Sequence, residues 1–471
     1  MAQAEVQRGH QRKGKGKGER RDVGRRGGGG GRGTRPHDQA ARIVTELLRA
    51  KAQRSGGASI KSLVYKSDVE NKKAVYAICC ETLKHLSIIK GVLEESKCLS
   101  DLLPKKLGLV YVWVYELLFG QWKKISHFNK FVPVAKQQDK LKEAYERIKS
   151  KKGGIKGETS SSLSLSPLES KTFPRYARIN TLKLSIDSAL SQLKSEYGDE
   201  NVKKNKYLRD VLELPSSIHL YNHRLIKQGS VVLQGLSSCM PVHALQPTRS
   251  MVLIDACSAP GNKTTQLAAH LAANGSPEVD VGKIFAFDLD PTRFQRLCKN
   301  VRHCGAEGIV QPELKDFLSV NPREDEKYKQ VRAILLDPSC SGSGTAHSRG
   351  DMLLGKALDV SEQSETERRR IDILASFQEK CLRHALNFPL VERVVYSTCS
   401  IYLRENETVV ASVLAEAERL GFKLEKALPQ WPRRGFPLFD ACENLVRVDP
   451  SKDKTDGFFL ALFTRSKATV T

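Results

Sequence analysis

The feature that most constrains the fold is a pattern that begins near residue 250, in which short apolar runs alternate with helical segments. The alternation predicts an open, mostly parallel sheet with helices on both faces. Such sheets bind ligands at the carboxyl ends of their strands, so the residues that follow each strand are the first candidates for a functional site. The predicted strands are Val252–Ala256, Ile284–Phe287, Ile309–Gln311, Ala333–Leu336, Val394–Ser397 and Phe458–Phe463, and the predicted helices are Gln266–Ala273, Arg293–His303 and Ile371–Leu386.

The first predicted strand leads into a helix through a turn of small residues, Asp255–Thr264, which reads DACSAPGNKT. Small residues let the backbone approach a ligand closely, and the N-terminus of the following helix favours a negatively charged group. The turn matches neither the GxGxxG fingerprint of dinucleotide-binding proteins nor the GxxxxGKS or GxxxxGKT pattern of a P-loop. An ordinary tight strand–helix turn is the alternative interpretation.

Acidic residues follow the second and third predicted strands. Asp288 lies where an acid binds the ribose hydroxyls of a nucleotide, and Arg293 follows closely. It comes about 30 residues after the small-residue turn instead of the usual spacing of about 20, and the Gly275–Gly282 loop accounts for the excess. Asp316 follows the third strand, where it either accepts a hydrogen bond from a ligand amino group or is a helix cap or solvated acid.

Two cysteines lie at adjacent strand ends. Cys340 is in the segment DPSCSGSG after the fourth predicted strand, and Cys399 is in YSTCS at the end of the fifth. Most single cysteines are packing residues, but a pair on the ligand side of a sheet predicts function. The chain has 11 cysteines without CxxC or Cys/His metal spacing, which indicates reduced thiols, with no disulfide scaffold and no metal site.

The charge of the chain favours a polyanionic partner. Lys and Arg number 77 against 53 Asp and Glu, a net charge of +24, which favours nucleic acid ahead of an acidic membrane surface. The N-terminus is charged from Arg8 onward, which argues against a secretory signal peptide. The longest apolar run, Leu107–Phe119, is shorter than the roughly 20 residues that span a bilayer, so no membrane association is predicted.

Composition divides the chain into five parts. The first has too few apolar residues to offset the entropy of ordering, and its Lys, Arg and Gly content is typical of an RNA contact or a nuclear address. Helical spacing of apolar residues dominates the second, and a Gly-Ser stretch marks the third. The predicted parts are a disordered tail at 1–38, a helical domain at 39–150, a linker at 151–170, a small α+β region at 171–245 and the alternating sheet domain at 246–471.

Four segments in this order resemble the motifs of the NSUN-type RNA cytosine-C5 methyltransferases. They are DACSAPGNKT, FDLD, DPSCSGSG and YSTCS, and the stretch PRYARINTLK at Pro174–Lys183 is similar to the entry of that family's methyltransferase region. The resemblance covers about residues 60–465. Asn262 and Ser339 replace residues that are more often Gly and Pro in the family, and these variants resemble the subfamily that modifies large-subunit rRNA.

The resemblance implies a fold and a mechanism. The α/β fold would be a Rossmann-like class I methyltransferase domain with a mostly parallel sheet, preceded by a helical N-terminal domain that binds RNA and a small α+β region. Cys399 would attack C6 of cytosine, Cys340 would act in release of the product, and Asp337 would hydrogen-bond the base. The cofactor would be S-adenosylmethionine, and the residues implied to bind it are Cys257, Ser258, Ala259, Pro260, Gly261, Asn262, Lys263, Asp288, Arg293, Asp316 and Asp337.

The implied partner is RNA, above all large-subunit rRNA, and the implied location is the nucleus, specifically the nucleolus. No oligomeric state is predicted. One alternative is an exocyclic-amine methyltransferase, which usually carries Asp or Asn, two prolines and an aromatic residue after the fourth strand. Here Cys340 stands two residues after Pro338 and no aromatic residue follows. A second alternative is a ribosome-assembly protein that retains the fold without activity, and the absence of GxGxxG disfavours a dehydrogenase.

Overall fold

The computed structural model describes most of the 471-residue chain. The tail predicted at 1–38 lies outside the described residues except for 35–38, which form the first turn of a helix. The linker predicted at 151–170 also lies outside them except for 151–153, which end another helix. The described residues are 35–52, 60–64, 68–102, 106–121, 132–153, 173–274, 276, 278–345 and 365–465.

The first part of the described chain is helical. Each longer helix contributes an apolar stripe to one cluster, in which Val44, Leu83, Ile89 and Val110 are fully buried. The predicted buried run at Leu107–Phe119 forms a helix that ends one residue earlier. The helices are α1 (Arg35–Ala52), α2 (Ile60–Val64), α3 (Lys72–Lys84), α4 (Leu86–Ser96), α5 (Leu107–Leu118), α6 (Val132–Lys136) and α7 (Gln138–Gly153).

An antiparallel sheet of four strands follows, in the order β2-β3-β1-β4. Its strands are β1 (Arg175–Ile179), β2 (Lys203–Lys204), β3 (Val211–Leu214) and β4 (Val231–Leu233), and the helices beside it are α8 (Ile186–Tyr197) and α9 (Arg224–Lys227). Helix α10 (Leu236–Leu245) follows β4 and packs against the strands of the next sheet.

The sequence predicts a helix over Leu233–Leu245 that opens near Gly229, and this boundary is wrong. The residues Val231–Leu233 pair with β1 as strand β4, and the helix begins only at Leu236. The apolar run continues from strand to helix without a break, so its hydrophobicity alone did not reveal the change.

The large sheet has eight strands and contains all six that the sequence predicts. Seven of them run in the order β10-β12-β9-β8-β5-β6-β7, and β11 pairs with β12. Strands β7, β6, β5, β8 and β9 are parallel to one another, and β12 lies antiparallel between β9 and β10. The strands are β5 (Val252–Asp255), β6 (Ile284–Asp288), β7 (Val310–Leu314), β8 (Val331–Leu336), β9 (Arg393–Thr398), β10 (Lys423–Glu425), β11 (Val446–Val448) and β12 (Phe458–Thr464).

Helices cover both faces of this sheet, as the sequence predicts. Neighbouring residues of one strand, such as Leu253 and Ile254, belong to separate apolar clusters because successive side chains of a strand point to opposite faces. Helices α10, α11 and α12 contribute to the first cluster, and α13 and α14 contribute to the second. The helices not yet given are α11 (Asn262–Ala273), α12 (Pro291–Cys304), α13 (Glu365–Leu386), α14 (Glu407–Arg419) and α15 (Pro450–Asp453).

This strand order gathers the polar strand ends at one edge. Strands β6, β5, β8 and β9 are consecutive neighbours, so Asp288, Asp255, Asp337 and Cys399 all come at or just after the carboxyl ends of adjacent strands. No helix within the described ranges is both long enough and apolar enough to cross a membrane.

Candidate active site

Cys340 and Cys399 meet at the carboxyl edge of the large sheet. Their Sγ atoms lie 3.3 Å apart, within hydrogen-bonding range for sulfur and well beyond the roughly 2.05 Å of a disulfide bond. Both residues are half-buried. The pKa of the Cys340 thiol is raised well above its ordinary value, first by the hydrogen bond with Cys399 and then by burial. The two cysteines predicted as a pair from the sequence are therefore in direct contact as thiols.

A lysine and an aspartate lie beside the thiols. Asp337 follows β8 and accepts a hydrogen bond from Lys263 Nζ at 2.6 Å and another from Ser397 Oγ at 2.7 Å. Burial by itself would lower the pKa of Lys263, but the Asp337 carboxylate raises it above the ordinary lysine value, and Cys399 adds to the increase. Lys263 therefore stays protonated, and its charge stabilises negative charge on the carboxylate and the thiols.

The small-residue turn connects β5 to β6 through its backbone. Ser258 donates hydrogen bonds from both its backbone N–H and its Oγ to the carbonyl oxygen of Phe287, each at 2.8 Å. Gly261 has a φ of +104°, a conformation that favours glycine, and it precedes α11 as the N-cap residue. Because glycine has no side-chain acceptor, the first-turn amides of α11 are not capped by Gly261 and suit an anionic ligand group.

Asp288 is a buried acid whose oxygens face this turn. Its Oδ2 accepts from the Ala259 amide at 3.2 Å, its Oδ1 accepts from the Asp290 amide at 3.0 Å, and Arg293 forms an ion pair with it at 3.2 Å. Arg293 also donates to the Ala259 carbonyl oxygen at 3.0 Å. The predicted ribose-binding acid is thus fixed in place, and Arg293 holds the turn against it.

The other predicted cofactor residues lie in the same turn or at the next strand end. Cys257 is half-buried and burial raises the pKa of its thiol well above the ordinary value, so it is a neutral lining group. The Pro260 carbonyl oxygen accepts from Asn300 of α12 at 2.7 Å. Asp316 uses Oδ1 to cap a short turn by accepting from the Leu318 amide at 3.0 Å, which is the capping alternative raised by its sequence position.

The donor set at this edge fits S-adenosylmethionine. Asp288 has the remaining acceptor capacity of a carboxylate for hydroxyl groups, and the N-terminus of α11 suits a carboxylate. The turn between them, Cys257–Gly261, consists of small residues that leave room for a thioether chain. The ammonium group of such a ligand would meet acidic side chains at the ends of β5 and β8.

Sequence reasoning missed a buried carboxylate in the middle of the edge. Asp255 is 1% exposed and accepts from Thr264 Oγ1 at 2.7 Å. Burial raises its pKa to about 7, and Asp337 adds to the increase. The sequence did offer one indication of a functional role, because Asp255 is the last residue of the first strand of the large sheet.

Sequence reasoning also missed a buried network behind the turn. Asp210 accepts from His243 Nε2 at 2.5 Å and from His270 Nε2 at 3.0 Å, and these three side chains are of types that bind metals. Gln266 donates to the same carboxylate at 3.2 Å, so its oxygens are engaged with protein donors. Asp210 and His270 are 60 positions apart in the sequence, and no sequence motif joins them.

Two family models match the chain. The one described as 16S rRNA methyltransferase RsmB/F matches residues 242–464, and the one described as the N-terminal domain of NOL1/NOP2/Sun domain family member 5 matches residues 73–160. A solved methyltransferase homologue from Pyrococcus horikoshii shares the fold, with a TM-score of 0.51 and 22% identity over 79% of this chain and 99% of that chain.

Two curated relatives are similar over most of the chain. A 25S rRNA (cytosine-C(5))-methyltransferase NSUN5 from Arabidopsis thaliana is 43% identical over 429 residues, which cover 91% of this chain and 72% of the relative. A 28S rRNA (cytosine-C(5))-methyltransferase from Mus musculus is 35% identical over 429 residues, which cover 88% of each chain.

The parallel sheet with an antiparallel β12, and a site at its carboxyl edge, define a class I methyltransferase. The family resemblance seen in the four motifs is confirmed. The chain belongs to the NSUN5-type family of rRNA cytosine-C5 methyltransferases.

Proposed function

We propose that this protein transfers a methyl group from S-adenosylmethionine to C5 of a cytosine in large-subunit rRNA. The observation that carries the proposal is the 3.3 Å contact between Cys340 and Cys399 beside Asp337. The names of the plant and mouse relatives, which act on 25S and 28S rRNA, support the choice of substrate. An exocyclic-amine methyltransferase would have no use for the second thiol.

Cys399 is the proposed nucleophile. Its thiolate forms a bond to C6, and the displaced π electrons make C5 nucleophilic, which an unmodified cytosine ring is not. S-adenosylmethionine, when bound, supplies an electrophilic methyl group. C5 then carries both its original proton and the methyl group until that proton is removed and the bond between Sγ and C6 breaks. The products are 5-methylcytosine, S-adenosylhomocysteine and the regenerated thiolate of Cys399.

Cys340 is the proposed acceptor for the C5 proton. While Cys399 is bonded to C6, its sulfur is a thioether and cannot act as a base. A second base is therefore needed at the same face of the ring. Cys340 is in contact with Cys399, and the hydrogen bond between them is the first cause of its raised pKa, so the resting Cys340 is a neutral thiol. That hydrogen bond is lost once Cys399 is bonded to C6, and Cys340 then releases its thiol proton to solvent and takes up the C5 proton as a thiolate. Removal of the C5 proton restores the double bond as Cys399 leaves.

Asp337 is proposed to hold the base. A carboxylate has about four acceptor positions, and Lys263 and Ser397 occupy two of them. The remaining positions can accept from the exocyclic amino group of cytosine as charge develops in the ring. Lys263 places a positive charge beside this carboxylate. Because a cytosine inside a duplex is out of reach, the target nucleotide would be unpaired or flipped out of the stack.

The S-adenosylmethionine site is proposed for the turn and the acid opposite it. The turn residues Cys257–Lys263 would line the methionine end, and Asp288 would accept from the ribose hydroxyls. Asp316 has one oxygen beyond its cap for the adenine amino group. Arg293 would act through Asp288 and the Ala259 carbonyl, both of which it contacts.

The proposed location is the nucleolus, where large-subunit rRNA is made, and the proposed RNA-binding surface includes the helical N-terminal domain. The +24 charge supports phosphate contacts. A fluorescent fusion that co-localises with nascent rRNA would support this location, and exclusion of the full-length fusion from the nucleus would contradict it.

The test of the function is a denaturing gel of the Cys340→Ala protein expressed in cells. We expect a slowly migrating band that RNase removes, because the covalent complex forms and cannot resolve. The double variant Cys340→Ala/Cys399→Ala should give no band. Sequencing the trapped RNA identifies the target. If Cys340→Ala folds, binds S-adenosylmethionine and gives no band, the two-cysteine mechanism is wrong and a scaffold role takes its place.

A further inference from the structure

We propose that Glu405 is a positioning residue that holds the Cys340 loop, defined as Asp337–Ser343, in register with Cys399. The inference rests on the proposed function, because it takes Cys340 to act in product release. Glu405 lies outside the four sequence motifs and ends a short helical turn, Leu403–Glu405, after β9.

The carboxylate of Glu405 contacts the residue that follows each active-site cysteine. Its Oε1 accepts from the Ser341 amide at 2.8 Å, and its Oε2 accepts from Ser400 Oγ at 2.6 Å. Ser341 follows Cys340 and Ser400 follows Cys399. The two serine hydroxyls also lie 3.2 Å from each other. One buried side chain therefore spans the gap between the two loops.

A glutamine from α13 completes the hold on the Cys340 loop. Gln378 Nε2 donates to Glu405 Oε1 at 3.1 Å and to the carbonyl oxygen of Ser339 at 3.0 Å. The residues on both sides of Cys340 are thus fixed, Ser339 by Gln378 and Ser341 by Glu405. The hydrogen bonds of Ser339 and Ser341 therefore fix the position of the Cys340 thiol between them.

The Cys399 loop, defined as Cys399–Tyr402, depends less on Glu405. Asn406 Nδ2 donates to the Ser400 carbonyl oxygen at 2.9 Å, and the Ser400 amide donates to Thr398 Oγ1 at 3.2 Å. The Gly344 amide donates to the Cys399 carbonyl oxygen at 2.9 Å. These three contacts remain when the carboxylate is removed. Loss of Glu405 should therefore displace Cys340 more than Cys399.

The burial of Glu405 also indicates a specific role. The residue is 0% exposed, and in the described part of the chain its oxygens are bound by amide and hydroxyl donors rather than by a lysine or arginine. A buried carboxylate without a cation is costly, because its desolvation is offset only by hydrogen bonds. Its position between two reactive loops accounts for that cost.

The experiment compares variants of the full chain in cells that lack the natural protein. Removing the carboxylate in Glu405→Ala should leave adduct formation and slow release, so the RNase-sensitive band should exceed that of the wild type about tenfold, as loss of hydrogen bonds to a charged group predicts. Glu405→Gln keeps the shape and the acceptor for Ser341, so it should restore release. Merely unfolded protein would form no adduct at all.

Glu407→Ala is the matched control. Glu407 is also 0% exposed and lies two residues away, but it pairs with Arg447 and accepts from the Phe436 amide at 3.0 Å. Its removal should lower the unfolding temperature without enriching the covalent band. Equal enrichment in both variants would mean that general loosening, not positioning, causes the build-up.

The outcomes separate the inference from the function on which it rests. If Cys340→Ala gives no band, the release role of Cys340 fails. If Cys340→Ala gives a band and folded Glu405→Ala gives none, only the Glu405 inference is overturned. If Glu405→Ala does not fold, Gln378→Leu decides, because it removes the hydrogen bonds of Gln378 to Ser339 and Glu405 and leaves the contacts of Glu405 with Ser341 and Ser400 in place. A band enriched above wild type supports the inference, and wild-type behaviour overturns it.

Discussion

The site has two halves that are built by different kinds of contact. In the cysteine half, after β8 and β9, side chains contact side chains: Ser341, Ser400 and Glu405 form one buried network. In the cofactor half, after β5 and β6, backbone groups make the main contacts, such as the Ala259 amide with Asp288. Reactive thiols need their positions fixed by side chains, whereas a bound small molecule can be recognised by amides and one acid.

This difference assigns separate kinetic roles to the two halves. Substitutions in the cysteine half should change the chemical step, and substitutions in the cofactor half should change affinity for S-adenosylmethionine. Lys263 belongs to the cofactor turn by sequence and to the cysteine half by its contact with Asp337. It is therefore the residue at which the distinction is tested most directly.

The largest expected effect is that of Cys399→Ala. Methylation and the covalent band should both disappear, because the proposed bond to C6 is formed by the thiolate of Cys399. Affinity for S-adenosylmethionine, measured by calorimetry on the purified full chain, should stay within about twofold of wild type. The reason is that Cys399 is not among the residues proposed to bind the cofactor. A large loss of cofactor affinity would contradict the division of the site into a cysteine half and a cofactor half.

Lys263→Met should lower kcat by about 10- to 100-fold, the usual consequence of losing a hydrogen bond to a charged group. KM for S-adenosylmethionine should change little. Lys315→Met is a control at a half-exposed lysine that pairs with Asp325, and it should leave kcat unaltered. A rise in KM with constant kcat would place Lys263 in the cofactor half after all.

Asp288→Asn should raise the dissociation constant for S-adenosylmethionine by about tenfold, because an amide offers one acceptor oxygen in place of two. At saturating cofactor, kcat should stay near that of wild type. Asp290→Asn serves as its control, since that exposed residue caps α12 by accepting from the Arg293 amide at 2.7 Å. A fall in kcat at saturation would contradict the assignment of Asp288 to binding alone.

The smallest effect concerns pH. The folded protein raises the pKa of Asp255 from 3.8 to about 7, so between these values it retains a proton that the unfolded chain has released. The contribution of this group to stability is therefore fully present below pH 4 and is lost as the pH rises toward 7. Relative to wild type, Asp255→Asn should become more stable as the pH rises from 5 to 8, as measured by thermal unfolding. Parallel pH profiles for both proteins would contradict the raised pKa.

The strands could be predicted where burial makes the sequence uniformly apolar. Phe458–Thr464 is buried along its whole length and reads as a strand without ambiguity. Strand β10 was missed because two of its three residues, Lys423 and Glu425, are charged and exposed at the sheet edge. Strand β4 was taken for the start of a helix because Val231–Leu233 continues into an apolar helix after two residues.

The predicted site residues came together because neighbouring parallel strands end at one edge. That rule places Cys340 and Cys399 side by side although 59 residues separate them. It says nothing of Glu405 and Gln378, which reach the Cys340 loop from a turn and a helix beyond the strand ends. Contacts of that kind depend on how helices pack over the sheet, and no local pattern encodes them.

Strand β12 has a consequence for the making of the protein. A ribosome delivers β9 and its cysteine well before the strand that finally lies beside them, because Phe458–Thr464 comes later in the chain. Until then β9 is an apolar edge whose free amide and carbonyl groups can pair with other nascent chains. The thiol chemistry is thus assembled late in translation, and the preceding interval is when the newborn chain is most open to aggregation.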